Sequence, residues 1–314
     1  MLTYWCNARC QSCYICCGPE HRGWVAPETA LEIWRQLIEV SPHGCRVHLT
    51  GGEPFGNWPL LIEIARRAKT EGLGPLHKVE TNGFWATDSK LIRERLIQLD
   101  EAGMEKLTIS TDPYHQRFVP IEHCRMLASL AEEILGLRRV QVRWRDWLAE
   151  GRDTDSLPDA QWRILLAKYA AGGRDRANGR AASVLAELLP QKPPSSFADE
   201  SCGQQLLRCK HVHVDGDGLV MPGTCAGIAL GHISQGGVAE IWKDLQANYD
   251  SRPIVGTLSR KGPVGLMEVA KASGYLPRPS YAGKCHLCWD VRNYLLIQGL
   301  CDRELSPRWM YDAC

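Results

Sequence analysis

Three cysteines in the run Cys6-Asn-Ala-Arg-Cys10-Gln-Ser-Cys13 stand just behind the apolar stretch 2–5. Thiolates at this C-x3-C-x2-C spacing suit three irons of a four-iron cubane and leave one iron without a protein ligand. An open iron can chelate a small molecule and pass it an electron. A second set occupies the last third of the chain: Cys202, Cys209, Cys225, Cys285 and Cys288. Taken alone, Cys285-His-Leu-Cys288 would also suit a zinc ribbon. The chain holds 14 cysteines in 314 residues. Disulfides on that scale require an oxidising compartment, for which nothing in the sequence argues, so ligation is the favoured reading. Cys16, Cys17, Cys45 and Cys124 are read as small buried hydrophobes. Asp112-Pro-Tyr-His-Gln116 groups an acid, a phenol, an imidazole and an amide, a set able to bind a polar substrate or exchange a proton. Asp112, Tyr114 and His115 are its candidate catalytic groups.

These groups need a scaffold, and the first half of the chain has the pattern of one. Helices are predicted over 27–40, 59–72, 88–102, 121–135 and 159–171, and strands over 2–5, 46–50, 78–81, 106–111 and 140–144. Leu31, Trp34, Leu37 and Ile38 recur at helical spacing, and Glu28 suits the first-turn dipole. Strands alternating with helices predict an α/β fold with parallel crossovers. Five or six such units suggest a partial (β/α)6 TIM-like barrel, whose sites gather at the carboxyl ends of the strands. The pattern breaks at Gly172-Gly173-Arg174 and again over 192–196. The expected division is therefore 1–195 and 196–314, the second part a small α+β domain with a hairpin over 211–221 and a helix over 239–248.

A net charge of +1 gives no electrostatic footprint for nucleic acid or anionic lipid. No apolar run is long enough to cross a bilayer, and the first strand begins too early for a targeting peptide. The expectation is a cytoplasmic protein with neither nucleic acid nor membrane as partner.

Thr50-Gly51-Gly52-Glu53-Pro54 follows the second strand, and with the Cys6/Cys10/Cys13 loop after the first it decides a resemblance. The chain resembles the radical S-adenosylmethionine (radical SAM) enzymes. Ser12 departs from the aromatic residue that many members carry before the third cysteine. The resemblance implies a site-differentiated 4Fe–4S cluster on Cys6, Cys10 and Cys13 with S-adenosylmethionine on its open iron. It implies that Glu53 helps bind the methionine amino group and that Tyr14 packs near the adenine. Thr81, Asn82, Ser110 and Arg143 would surround the ribose and methionine. Gly51 and Gly52 are expected to let backbone carbonyls approach the cofactor, which a Cβ would prevent.

The second cysteine set resembles the twitch or SPASM extension of that superfamily, although the two further cysteines of the full SPASM pattern are missing after Cys288. One auxiliary 4Fe–4S cluster on Cys209, Cys225, Cys285 and Cys288 is expected, with Cys202 able to displace one ligand. A second auxiliary cluster on Cys202, Cys301 and Cys314 is the less favoured arrangement. Cleavage of the cofactor would yield a 5′-deoxyadenosyl radical that abstracts a substrate hydrogen. The auxiliary cluster tilts the reaction toward oxidation or bond formation on a peptide or small natural product. The start at strand one leaves no leader-peptide-binding domain, which weighs against a peptide. A low-potential donor such as flavodoxin or ferredoxin would supply electrons. The competing readings are an iron–sulfur electron-transfer or carrier protein and a zinc-stabilised binding protein.

Overall fold

The structure, a computed structural model, describes residues 1–41, 43–172, 176–209, 211–312 and 314. Gly173 and Arg174 of the expected loop lie outside the described residues. Two compact units emerge: Met1–Cys10, Cys17–Trp162 and Asp215–Asp217 form the first, and Gln11–Cys16, Arg163–Val214 and Gly218–Cys314 the second. The long segment of the first unit ends at Trp162. Trp162 explains this: its ring meets Tyr114 edge-on, and the Arg117 guanidinium sits 4.6 Å above it.

The first unit contains α1 (Pro27–Glu39), β1 (Val47–Leu49), α2 (Trp58–Thr70), β2 (Leu76–Thr81), α3 (Ser89–Glu101), β3 (Lys106–Ile109), α4 (Ile121–Leu135), β4 (Val140–Val142), α5 (Arg145–Glu150) and the start of α6 (Asp159–Ala171). The helices start where local chemistry places them. The Asp88 carboxylate accepts from Leu91 N and the Asn57 amide oxygen from Leu60 N, satisfying orphan donors of α3 and α2. The strands pair in parallel in the order β1-β2-β3-β4, in register through Lys78 opposite Lys106 and Leu107 opposite Val140. Leu31, Leu61, Ile64, Leu96, Leu99 and Leu107 are wholly buried in one core drawn from these helices and strands. This α/β architecture is consistent with the expected partial TIM-like barrel, and it brings four strand ends to one rim.

Residues 2–5 form no ladder strand, yet they run beside the continuation of β1. Leu2 N donates to Thr50 O (2.8 Å), Gly52 N to Thr3 O (2.8 Å) and Glu53 N to Trp5 O (2.9 Å). This pairing gives the two glycines a structural role. A Cβ on Gly52 would lie 1.9 Å from Trp5 O, and one on Gly51 2.4 Å from Thr3 O, so the obstacle is the chain's own backbone. Gly52→Ala is therefore expected to destabilise the protein by about 3 kcal/mol, as overpacking against rigid atoms does. Denaturant unfolding measures this, and a loss below about 1 kcal/mol would contradict the close pairing.

The second unit contains α7 (Arg180–Val184), α8 (Gly203–Leu206), β5 (Val212–Val214), β6 (Leu219–Pro222), β7 (Gly231–His232), α9 (Gly237–Asn248), α10 (Pro253–Lys271), α11 (Lys284–Ile297) and α12 (Arg308–Asp312). The expected hairpin is β5–β6, and β7 extends it into an antiparallel sheet of three. α10 bends at Gly262, whose φ is 61°. Cys16 is not the free buried thiol expected of it: it forms a disulfide with Cys314. Among the described residues no helix is long and apolar enough to cross a membrane.

Candidate active site

In the first unit the chemistry gathers where β1, β2 and β3 end. Glu53 is fully buried, and three donors fix its carboxylate. Oε1 accepts from the Thr81 hydroxyl (2.9 Å) and Phe55 N (3.2 Å), and Oε2 from Asn82 N (2.6 Å). Burial lifts this carboxyl to about 7, although the bonds from Asn82, Thr81 and Phe55 and the nearby His115 pull it down. A buried carboxylate held this way suits a cationic partner, and the ammonium of an amino acid moiety is one.

The sign of the shift yields a test. The ordinary value is 4.5, so between about pH 4.5 and 7 the unfolded chain ionises while the folded carboxyl keeps its proton. Stability of the iron-free protein should fall through that window by about 3 kcal/mol in all. Thermal unfolding against pH checks this: Glu53→Gln should lack the decline, and parallel curves for the two proteins would refute it.

Thr81 and Asn82 serve Glu53 and the cysteine loop rather than standing open. The Thr81 hydroxyl donates to Glu53 and accepts from Gly83 N and Trp85 Nε1, both at 3.0 Å. Asn82 Nδ2 donates to Asn7 Oδ1 (2.9 Å) and to Cys6 Sγ (3.7 Å), while Ala8 N reaches the same sulfur at 3.4 Å. A sulfur receiving N–H donors is one prepared to carry thiolate charge. Ser110 is buried beside them, and its amide donates to Thr81 O. Arg143 follows β4, is exposed, and its charge reaches Glu80 and Asp112.

Asp112 and His115 form a buried pair. Asp112 Oδ2 lies 2.7 Å from His115 Nδ1, and Oδ1 accepts from His115 N at 2.9 Å. Burial would raise the Asp112 carboxyl, but the imidazole beside it holds it below its ordinary value. Burial would likewise lower His115. The Asp112 carboxylate and the Cys10 sulfur, to which its side chain also hydrogen-bonds, instead raise it well above 6.5. His115 thus links Asp112 to a cysteine of the loop. Tyr114, between Asp112 and His115 in sequence, is wholly buried, edge-on to Trp144 and Trp162. Cys124, also buried, has its thiol pushed up to about 12 by burial and by the carboxylates of Asp112 and Glu53.

Cys13 and Tyr14 belong to the second unit. Cys13 O accepts from Arg180 N (3.2 Å), and the Tyr14 hydroxyl lies 2.8 Å from His213 Nε2. The same unit holds a cavity lined by Cys202, Cys225, Cys285, Cys288, Lys284 and Arg292, among others. Cys285 and Cys288 stand three apart in the first turn of α11, which puts them on one face. Cys225 closes the turn after β6, and Cys202 precedes α8. Cys209 is not among the lining residues; its thiol points to Leu206 O at 3.8 Å. Cys202, the alternative ligand allowed by the sequence, does line it. Burial and the neighbouring Cys288 and Cys225 sulfurs push Cys202 up to about 12, and burial with Cys288 pushes Cys225 up to about 11. Burial, with Cys288 close by, raises Cys285 as well, and thiols raised in this way lose their protons on binding a cationic group. Among the described residues no three His, Cys, Asp or Glu side chains converge as a single metal ion requires.

Residues 1–133 match the family model of the Radical SAM superfamily. The chain carries a radical SAM domain. The family is enzymatic and implies a 4Fe–4S cluster with S-adenosylmethionine. Curated relatives include YydG of Bacillus subtilis (strain 168), whose name places it in peptide biosynthesis, at 29% identity over 117 residues, 36% of this chain and 35% of that protein. GTP 3′,8-cyclase of Aquifex aeolicus (strain VF5) is 33% identical over 114 residues, 35% of this chain and 32% of the enzyme. The matches therefore span about a third of each relative. Among solved structures, BtrN in complex with AdoMet and 2-DOIA has a TM-score of 0.49 at 15% identity, over 83% of this chain and 86% of that one. Native anSMEcpe with bound AdoMet has a TM-score of 0.47 at 13% identity, over 95% of this chain and 96% of that one. Within the radical SAM domain, Glu53 and the Cys6/Cys10 loop fit the implied cofactors through the donors and charge described above.

Proposed function

We propose that this radical SAM enzyme reductively cleaves S-adenosylmethionine and abstracts a hydrogen atom from a peptide or small natural-product substrate, leading to oxidation or bond formation. The observation that carries the reading is Glu53: a wholly buried carboxylate, held by Thr81, Asn82 and Phe55, beside a loop whose cysteine sulfurs already receive N–H donors. Bound there, the cluster and S-adenosylmethionine supply a 5′-deoxyadenosyl radical able to attack an unactivated carbon. Cys6, Cys10 and Cys13 hold that cluster. Glu53 receives the methionine ammonium, Ser110 and Arg143 flank the cofactor, and Thr81 and Asn82 fix the carboxylate. His115, held by Asp112, donates toward Cys10 and steadies its negative charge. A cytoplasmic flavodoxin or ferredoxin is the proposed electron donor.

The second unit is a twitch-type extension binding one auxiliary 4Fe–4S cluster on Cys202, Cys225, Cys285 and Cys288. Its part is to take the electron released when the substrate radical is oxidised. Both substrate classes have a counterpart by name among the relatives, a peptide biosynthesis protein and a nucleotide cyclase. The test is anaerobic reconstitution with dithionite and S-adenosylmethionine, read as 5′-deoxyadenosine. Its absence from protein carrying full iron would refute the proposal.

A further inference from the structure

Arg292 is a full positive charge buried where few proteins place one. It lies four residues beyond Cys288 on α11, hence on the same face, lines the cysteine cavity, and is 1% exposed. A buried guanidinium is costly unless its charge is met. Its hydrogen bonds go to neutral acceptors: Nη1 donates to Ala226 O (2.9 Å) and the Tyr311 hydroxyl (2.7 Å), Nη2 to Asn178 Oδ1 (3.2 Å). Nε is buried without a hydrogen-bond partner. Trp289 and Tyr311 stack together, and the guanidinium carbon lies 5.0 and 5.5 Å from their ring centres. Among the described residues Arg292 has no carboxylate partner. Beside it stand the Tyr311 hydroxyl and the sulfurs of Cys288, which its side chain reaches by hydrogen bond, and of Cys225.

A four-iron cluster on four thiolates is an anion that becomes more negative on reduction. A fixed, unscreened cation at its edge therefore favours the reduced form, net charge and hydrogen bonds to sulfur being what set such potentials. The other nearby cations are weaker candidates. Lys284 is paired with Glu200 at 3.1 Å near the surface, and Arg176 is exposed, so solvent screens both. We propose that Arg292 is the built-in counter-charge of the auxiliary cluster, raising its potential so that it accepts an electron from the substrate side. This rests on the auxiliary-cluster reading above and assigns Arg292 a positioning role rather than contact with substrate.

The experiment uses the full chain with Cys6, Cys10 and Cys13 replaced by alanine, so that a single cluster remains. With Arg292 native, anaerobic reconstitution should load that cluster; no bound iron would overturn the cluster reading itself, independently of Arg292. Arg292→Gln and Arg292→Lys are then compared by iron content and by an EPR-monitored redox titration. The glutamine variant should titrate at a more negative potential or lose the cluster, while the lysine variant keeps the iron and stays near the native potential. Equal behaviour of the two, whether both unchanged or both depleted, would overturn the proposal, because charge would then not be the property that matters.

Discussion

Alanine at Cys6, Cys10 and Cys13 together is expected to reduce 5′-deoxyadenosine release to background while leaving a substantial part of the bound iron in place. The loop cysteines are not interchangeable with the chain's other thiols. Cys6 Sγ already receives Ala8 N and Asn82 Nδ2, and Cys10 receives the His115 side chain. Cys124, another buried thiol of the first unit, is held protonated by burial and by the Asp112 and Glu53 carboxylates. It is therefore a poor substitute ligand. Circular dichroism should show the variant folded, since the core around Leu61, Leu96 and Leu107 does not involve the loop. Continued cofactor cleavage by the triple variant would remove the loop from the reaction.

The residues at the strand ends were legible in sequence because parallel α/β units expose their carboxyl ends by construction. Strand boundaries at Thr81 and Ile109 place Asn82 and Ser110 on the rim whatever the packing beneath. Helices α1 to α4 were legible for a similar reason, each carrying an apolar face. α10 was not. Gly256, Gly262, Pro263 and Gly265 are helix breakers by type, and the segment is helical on both sides of a kink at Gly262. α11 was read as a cysteine motif, so its helical continuation through Ile297 went unseen. Roles within the site were less legible than positions. Thr81 turned out to hold Glu53, and the glycines of residues 51–52 to admit a neighbouring backbone, because one sequence does not show what lies across from a residue. The burial of Tyr114 was not legible either, because a phenol between Asp112 and His115 looks polar in sequence, while the tryptophans beside it are distant in the chain.

The fourth auxiliary ligand separates two thiols that spacing alone could not. Cys202→Ala should remove one cluster, about half of the bound iron, whereas Cys209→Ala should keep it. The argument is positional. Cys202 is fixed at the cavity wall by its own amide, which donates to Leu258 O of α10 at 2.9 Å, and its thiol shares the cavity with Cys225, Cys285 and Cys288. Cys209 points instead at Leu206 O. Losing one of four thiolates leaves three mutually repelling sulfurs and an iron open to solvent, which oxygen-free purification would not rescue. Iron and sulfide analysis with visible absorption should therefore show a fall for Cys202→Ala and native values for Cys209→Ala. The reverse pattern would return the ligand set to Cys209. Cleavage of S-adenosylmethionine should continue in both variants, since Cys6, Cys10 and Cys13 are untouched, whereas substrate turnover should stop, at the step that needs an electron acceptor, only in the variant that loses the cluster.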